Sequence, residues 1–436
     1  MSKTLIVTVG GSFQPVVTAI KKLRPTRVLF VCSQKSRNQV VGEGTPCEVR
    51  EGCEVRRLPN IVKQAGIEER FDAEKDVLVL EHEDALEDSY DAIADAIRAV
   101  QSQDPGGEVL ADYTGGTKTM SVALAMAAFD LGVMLYIEAG PRRDIERVHG
   151  GEAPILVGTS SLRVARVVNQ WVPSQLEKYD YTGAVTQLDG LLRSTQLSPG
   201  LQSRIRDLAS LCRAFEAWDR LDYEGAMYLL EPHMESDQIR PLGVFLQKLI
   251  SARRGMDAAA DDASFGKSTG YELAEDLVRN AERRAATERY DDAVARLYRA
   301  VELTAQVRLR TAFGIDSADV PIERLPAELQ PKYEGRRSAN GKIQVSLVQA
   351  YELLTDLGDE VVADVWREKK ERILDALDVR NNSSMAHGLR PIAEEQYQHV
   401  YADLVSLMER VIAGATKQDP PIGAPQIPTR LSLSKS

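Results

Sequence analysis

Neither a Gly-x-x-x-x-Gly-Lys-Ser/Thr loop nor a Gly-x-Gly-x-x-Gly run occurs in the chain, which disfavours triphosphate hydrolysis and hydride transfer on a dinucleotide. Positive charge is also scarce. Lys and Arg number 54 against 65 Asp and Glu, a net charge of −11. Phosphate affinity comes from cations that release counterions, so this balance argues against a surface coated by nucleic acid and leaves room only for a local basic cleft. The four cysteines (Cys32, Cys47, Cys53 and Cys212) have no zinc spacing and no nearby histidine; they read as reduced thiols, with no metal site. Long apolar runs are missing too. Met120 to Ile137 is interrupted by Asp130 and Gly132 and reads as a buried helix followed by a buried strand, not as a membrane span. Met-Ser-Lys-Thr-Leu leads straight into a strand without a signal-peptide pattern. The expectation is a cytoplasmic protein with no membrane partner.

What is present is an ordinary globular composition, 43% hydrophobic over 436 residues, enough for two or three cores. Up to about residue 170, short β-rich runs alternate with helical ones. Leu5–Val9, Arg27–Val31, Val77–Leu80, Val109–Asp112 and Val133–Ile137 read as strands. Pro15–Leu23, Ala85–Gln103 and Lys118–Leu131 read as helices, and Ile155–Val157 as an added edge strand. Near-continuous apolar strands separated by helices predict a mostly parallel sheet covered on both faces, a Rossmann-like α/β domain. From Trp171 onward the pattern is all helical, with a linker candidate at Gly255–Gly270. The Pro-rich residues after Gln418 cannot continue a helix and predict a mobile tail. An echo of basic-(Tyr/Leu)-Asp-(Tyr/Asp)-x-x-Ala begins at Lys178, Arg220 and Arg289. Its successive offsets of 42 and 69 residues do not form a regular helical repeat, and its plain reading is a recurrent way of opening a helix.

Two glycine loops follow strands. Gly10-Gly-Ser-Phe-Gln-Pro15 follows Val9, and Thr114-Gly-Gly-Thr-Lys-Thr119 follows Leu110–Tyr113. Ligands of open α/β sheets sit beyond the carboxyl ends of the strands, where glycine lets backbone amides approach an anion and a helix N-terminus favours negative charge. Thr117 and Thr119 add hydroxyls, and Lys118 adds a cation. The plainer reading is a strand-to-helix turn with a solvated lysine.

Near the C-terminus, Arg380-Asn-Asn-Ser-Ser-Met-Ala-His-Gly388 sets a permanent cation seven residues from one of five histidines. A helix rises about 1.5 Å per residue, so on a continuous helix the pair lies two turns apart on one face. Arginine holds phosphate with a planar fork, and histidine moves a proton near neutral pH; together they suggest metal-free phosphodiester chemistry. The same spacing class recurs at Arg142 and Arg143 with His149, and a helix-end arginine with a capping histidine is the plain reading. Tyr290, Tyr298 and Trp218 sit at helical spacing and predict core packing. His82, His149, His233 and His399 read as surface residues.

Asp112–Ser121, taken with Leu5–Ser12, resembles the CARF domains of CRISPR-associated proteins. Arg289–Glu302 resembles an early helix of a HEPN ribonuclease domain, and Arg380–Gly388 its active-site motif, an arginine, usually a polar residue, a short spacer and a histidine; Asn381 fits the polar place. The chain is therefore similar to the CARF–HEPN ribonucleases, accessory effectors of type III CRISPR immunity of the Csm type. The resemblance implies an α/β CARF domain (1–170), an all-α connecting segment (171–268), an all-α HEPN domain (269–416) and a disordered tail (417–436). It also implies a homodimer that binds a cyclic oligoadenylate, tetra-adenylate favoured over hexa-adenylate, through Gly10, Gly11, Ser12, Gln14, Thr114, Gly115, Gly116, Thr117, Lys118 and Thr119. The bound ring would switch on a metal-independent endoribonuclease in antiviral defence. Arg380, Asn381 and His387 would cut single-stranded RNA to 2′,3′-cyclic phosphate and 5′-hydroxyl ends, with no cofactor and no stable DNA binding. Glu302 is a candidate to orient Arg380. Slow degradation of the activator in the CARF domain is a further possibility. The alternative is a nucleotide-sensing regulator or adaptor whose helical half only dimerises or recruits a partner.

Overall fold

The computed structural model describes residues 2–51, 54–139, 153–194, 197–258, 264–384 and 388–431. Cys53, and Arg142, Arg143 and His149, lie outside the described residues. The chain divides into two compact units, Met1–Ala165 with Ser194–Gln196, and Arg166–Arg193 with Leu197–Ser436.

The first unit runs β1 (Lys3–Val9), α1 (Gln14–Leu23), β2 (Arg27–Ser33), α2 (Arg37–Val41), β3 (Cys47–Glu51), β4 (Glu54–Leu58), α3 (Ile61–Ala65), β5 (Val77–Leu80), α4 (Leu86–Gln103), β6 (Glu108–Asp112), α5 (Lys118–Asp130), β7 (Met134–Ala139), β8 (Ala153–Leu156) and α6 (Ser160–Arg166). The main sheet has the order β5-β2-β1-β6-β7-β8, parallel throughout except for β8, which pairs antiparallel with β7. Alternation explains its strands. On one face Leu5, Val7, Val9, Val28 and Phe30 pack with Val16 and Ile20 of α1 and Ile61 of α3. On the other, Ile6, Leu29, Val31 and Ala111 pack with Ile93 and Ile97 of α4 and Leu124 of α5. Both faces are buried, so the strands read as unbroken apolar runs. The expected strands and helices are all present. Not foreseen was the antiparallel ribbon β3–β4, whose charge-rich sequence has no apolar run to mark it.

The order places β1 between β2 and β6, with the chain leaving β1 toward β2 on one side and arriving at β6 on the other. That reversal is the crevice at which open α/β sheets bind ligands, and both glycine loops open onto it.

The second unit is helical among its described residues, apart from isolated bridges at Arg337↔Ile343 and Ser383↔Arg390. Its helices are α7 (Val172–Leu176), α8 (Tyr181–Ser194), α9 (Pro199–Asp219), α10 (Tyr223–Leu230), α11 (Arg240–Asp257), α12 (Glu272–Ala285), α13 (Tyr290–Phe313), α14 (Gln330–Glu334), α15 (Leu347–Asp356), α16 (Glu360–Asn381) and α17 (Glu394–Thr416). The expected α/β-then-α fold class stands. Residues 171–268 and 269–416 nevertheless share one compact unit, and a buried carboxylate is one reason. Asp276 of α12 accepts from Trp218 Nε1 of α9 and from the Tyr223 hydroxyl of α10, each at 2.9 Å. Burial raises its pKa, opposed by Arg283 and by these two donors. The expected linker is also tied down where described. Arg310 of α13, 7% exposed, donates to the carbonyls of Gly255, Met256 and Ala258 at the end of α11.

The disordered tail expected for 417–436 is corrected over residues 417–431, which are docked. Ile422, Ala424 and Ile427 are buried. Gly423 N donates to Glu275 Oε2 at 2.8 Å, Arg279 Nε to Ala424 O at 2.8 Å, and Gln426 Nε2 to Arg279 O at 3.1 Å. Proline forbids a helix here, as read from the sequence, but an extended segment needs only partners for its backbone groups, and α12 supplies them. Residues 432–436 lie outside the described residues.

Candidate functional sites

In the first unit, the two glycine loops meet. A Cβ on Gly10 would stand 2.7 Å from Gly116 N, and Gly116 has φ +89°; glycine is required here by close approach and by left-handed backbone. A Cβ on Gly115 would stand 2.3 Å from Thr8 O. Two hydroxyls hold the Gly115 carbonyl, Thr8 Oγ1 at 2.7 Å and Ser121 Oγ at 2.8 Å. Thr117 caps α5 by accepting from Met120 N at 3.2 Å, and its hydroxyl donates to Glu83 O at 3.2 Å. Thr114 Oγ1 accepts from Glu138 N at 2.7 Å. Thr114 and Thr117 are thus framework hydroxyls. Ser12, Gln14, Lys118 and Thr119 make no side-chain hydrogen bond among the described residues, and Lys118 and Gly11 are exposed. Asp112, 1% exposed, turns the chain out of β6 by accepting from Thr114 N at 2.9 Å. Its second oxygen has no hydrogen-bond partner, and burial raises its pKa against the pull of Thr114. Asp112 is the anchor that loop composition alone did not single out.

The three described thiols are buried. Cys32 and Cys47 are pushed up to about 11 and Cys212 to about 12, in each case mainly by burial, so they stay protonated at neutral pH. Among the described residues no group of three or more His, Cys, Asp or Glu is placed to hold a metal ion.

In the second unit the expected continuous helix from Arg380 to His387 is corrected: α16 ends at Asn381. Asn382 binds back to Asp378 O through both its backbone N and its Nδ2, each at 2.9 Å. A short amide side chain that satisfies a carbonyl in this way competes with the next helical turn, and Gly388 and Pro391 follow. His387 lies outside the described residues. Arg380 and Asn381 are brought together, Arg380 Nη1 donating to Asn381 Oδ1 at 3.1 Å. The guanidinium of Arg380 also lies 4.8 Å from the ring centre of Tyr298 on α13, within cation–π range. Tyr298 is therefore only half-buried and serves as a platform, a correction to core packing. Trp218 is fully buried as expected. Glu302 pairs with Arg299 at 2.6 Å, not with Arg380.

Asp291, on the first turn of α13, holds both ends of the loop beyond α16. Its carboxylate accepts from Ser384 Oγ at 3.3 Å and from Ile392 N at 2.9 Å. Neighbouring Tyr290 packs on Tyr397 of α17 with ring centres 5.5 Å apart. Asp291 sits inside the Arg289–Glu302 resemblance, but nothing in its spacing tied it to a segment some hundred residues away. Asp291→Ala leaves Ile392 N without its acceptor. The expected cost is about 1–3 kcal/mol, measured as a lower denaturation midpoint at unchanged m-value; an unchanged midpoint would show that the clamp carries nothing.

His82 and His399 are exposed and His233 is half-buried. No helix among the described residues is long and apolar enough to cross a membrane.

Residues 262–411 match the family model of the Csm6 HEPN domain, which spans Arg380, Asn381, Tyr298 and Asp291. No curated protein matches the chain. Among solved structures, Enterococcus italicus Csm6 bound to cyclic hexa-2′-fluoro-hexa-dAMP is similar at 12% identity over 95% of each chain, with a TM-score of 0.55. At that identity the likeness speaks for the fold. Residues 262–411 thus carry the match to the Csm6 HEPN domain, and the chain as a whole is similar in fold to the Enterococcus italicus Csm6 structure.

Proposed function

We propose that the protein is a cyclic-oligoadenylate-activated endoribonuclease, acting on single-stranded RNA without a metal in type III CRISPR antiviral defence. One observation carries the reading: at the end of α16, inside the HEPN match, Arg380 lies over the ring of Tyr298 and is bonded to Asn381. A cation fixed in this way stabilises the charge of a pentacoordinate phosphate. His387 acts as general acid or base on the neighbouring 2′-hydroxyl or the leaving 5′-oxygen, giving 2′,3′-cyclic phosphate and 5′-hydroxyl ends. Asn381 orients Arg380. One such set cannot supply base, acid and electrophile together, so a homodimer brings a second set across a two-fold axis.

The activator binds at the crevice between β1 and β6. Gly10, Gly11, Gly115 and Gly116 offer backbone amides, and Thr114 and Thr117 shape the loop. Ser12, Gln14, Lys118 and Thr119 are the side chains with hydrogen-bonding capacity to spare. Slow degradation of the ring at this site would act as a timer. The reaction needs no cofactor and no stable DNA binding.

The experiment is incubation of labelled RNA in EDTA, with and without cyclic tetra- and hexa-adenylate. Activator-dependent cleavage to cyclic-phosphate ends is expected with chelator present; cleavage that EDTA stops would assign a different nuclease class. The same two rings decide between tetra-adenylate, expected from the sequence, and hexa-adenylate, whose fluoro-deoxy analogue the Enterococcus italicus protein binds.

A further inference from the structure

The last two long helices of the second unit leave a groove between them. Asp375, Ala376 and Val379 of α16 line one wall and Gln396, His399 and Val400 of α17 the other, around a volume of about 620 Å³. Asp375, Gln396 and His399 are exposed, so a ligand reaches them from solvent. Arg380 follows Ala376 by four residues on α16, which puts it one turn further along the same face. The groove therefore begins within one helical turn of the cation assigned to the scissile phosphate.

Its polar groups have fixed directions. Gln396 Oε1 accepts from Ala393 N at 3.0 Å, so its Nε2 is left to donate. His399 Nδ1 lies 2.8 Å from Glu395 O; a carbonyl only accepts, so the hydrogen is on Nδ1 and Nε2 of the neutral ring is an acceptor. Asp375 makes no hydrogen bond or ion pair among the described residues and has both oxygens to offer. The other carboxylate at the groove, Asp403, lies 3.8 Å from Arg372. One amide donor and several acceptors thus stand between apolar walls. An unpaired carboxylate repels phosphate, so the groove suits the base of a nucleotide.

We infer that this groove takes a guanine base of the RNA beside the scissile phosphate, Asp375 accepting from the N1 and N2 hydrogens and Gln396 Nε2 donating to O6; the inference rests on the ribonuclease reading and names the part of the substrate held here. Guanine sets two adjacent N–H donors beside one carbonyl on its Watson–Crick edge, the edge on which splayed single-stranded bases are read. Adenine and cytosine carry only their amino group there, and uracil one N–H. The acceptor-rich lining therefore selects the base richest in donors. Ala376, Val379 and Val400 cover the ring, and the volume lies within the range of small-ligand sites, about 300–1,000 Å³.

The test separates the subsite from the reaction. Full-length protein is titrated by fluorescence anisotropy with short 2′-O-methyl oligouridylates, which have no free 2′-hydroxyl to attack the phosphate, carrying a central guanosine, inosine, adenosine or uridine. The guanosine strand is expected to bind roughly tenfold or more tighter than the uridine strand, inosine in between because it lacks the 2-amino group, and adenosine no tighter than uridine. Gln396→Glu keeps an acceptor for Ala393 N but removes the donor, and Asp375→Asn removes the acceptor; each should erase the guanosine preference. Ala402→Trp, which fills the groove from its exposed rim, should erase it too. Guanosine-selective binding that these variants erase supports the subsite even where unmodified RNA is left uncut, an outcome that counts against the ribonuclease reading alone. Equal affinity for all strands, no binding by any, or a preference unchanged in Gln396→Glu and Asp375→Asn would overturn the subsite. So would Ala402→Trp splitting a dimer into monomers with the preference intact, which assigns the groove to a second copy of the chain.

Discussion

Replacing His387 by alanine is expected to lower RNA cleavage by about 10²–10⁴-fold, the ordinary contribution of a positioned general acid or base, with activator affinity unchanged. The argument rests on what the rest of the site cannot do. Arginine stays protonated near neutral pH and cannot exchange a proton, and Asn381 is engaged with Arg380 at 3.1 Å. Tyr298, the next candidate, is under the guanidinium and has its pKa raised, first by burial and then by Glu302, so it is a poor base. Among the described residues no further titratable group is hydrogen-bonded to or ion-paired with Arg380, and in the proposed mechanism the proton goes to His387. Arg380→Lys separates the electrophile from the base. Lysine keeps the charge but loses the planar fork, so turnover should fall while its pH profile keeps the same acidic limb. A His387→Ala enzyme that cleaves RNA at the wild-type rate, with titration confirming activator binding, would remove the imidazole from the mechanism.

Much of the first unit was legible because its strands are buried on both faces, which writes apolar runs between helical patterns. Leu5–Val9 and Val109–Asp112 are examples, and both glycine loops followed from strand ends alone. The ribbon β3–β4 was not legible, since Glu48, Arg50, Glu54 and Arg56 give it a surface strand's composition. In the second unit, the end of α16 was misjudged. Arg380 and His387 fit helical spacing, but Asn382 satisfies Asp378 O with its own side chain, and a local polar competitor of this kind outweighs a weak helix former. Tyr298 looked like core because its neighbours Leu297, Ala300 and Val301 are core; that it carries Arg380 is a long-range fact with no local signature. The docking of Gly423–Gln426 on Glu275, Arg279 and Arg283 is equally non-local. Proline-rich composition excludes a helix there, but it does not show whether an extended segment finds a groove.

Gly115→Ala is expected to weaken cyclic-oligoadenylate binding roughly ten- to a hundredfold, and with it activator-dependent cleavage at subsaturating ring. The added methyl would lie 2.3 Å from Thr8 O, and that oxygen cannot give way. It belongs to β1, which is hydrogen-bonded to β2 on one side and β6 on the other, so the Thr114–Thr119 loop must move instead. Movement breaks the hydrogen bonds that Thr8 Oγ1 and Ser121 Oγ make to Gly115 O and shifts Gly116 away from Gly10, which closes the crevice at β1. Forcing an extra carbon into a packed contact costs about 1–3 kcal/mol, and affinity changes about tenfold for each 1.4 kcal/mol. Gly106→Ala is the matched control: a Cβ there meets nothing within 4 Å, and its turn lies at the opposite end of β6. Binding should fall in Gly115→Ala and hold in Gly106→Ala, with cleavage restored at saturating activator because Arg380 and His387 are untouched. Wild-type affinity in Gly115→Ala would instead mean that these amides face no ligand, and that the paired glycines serve only to bring a strand into its helix.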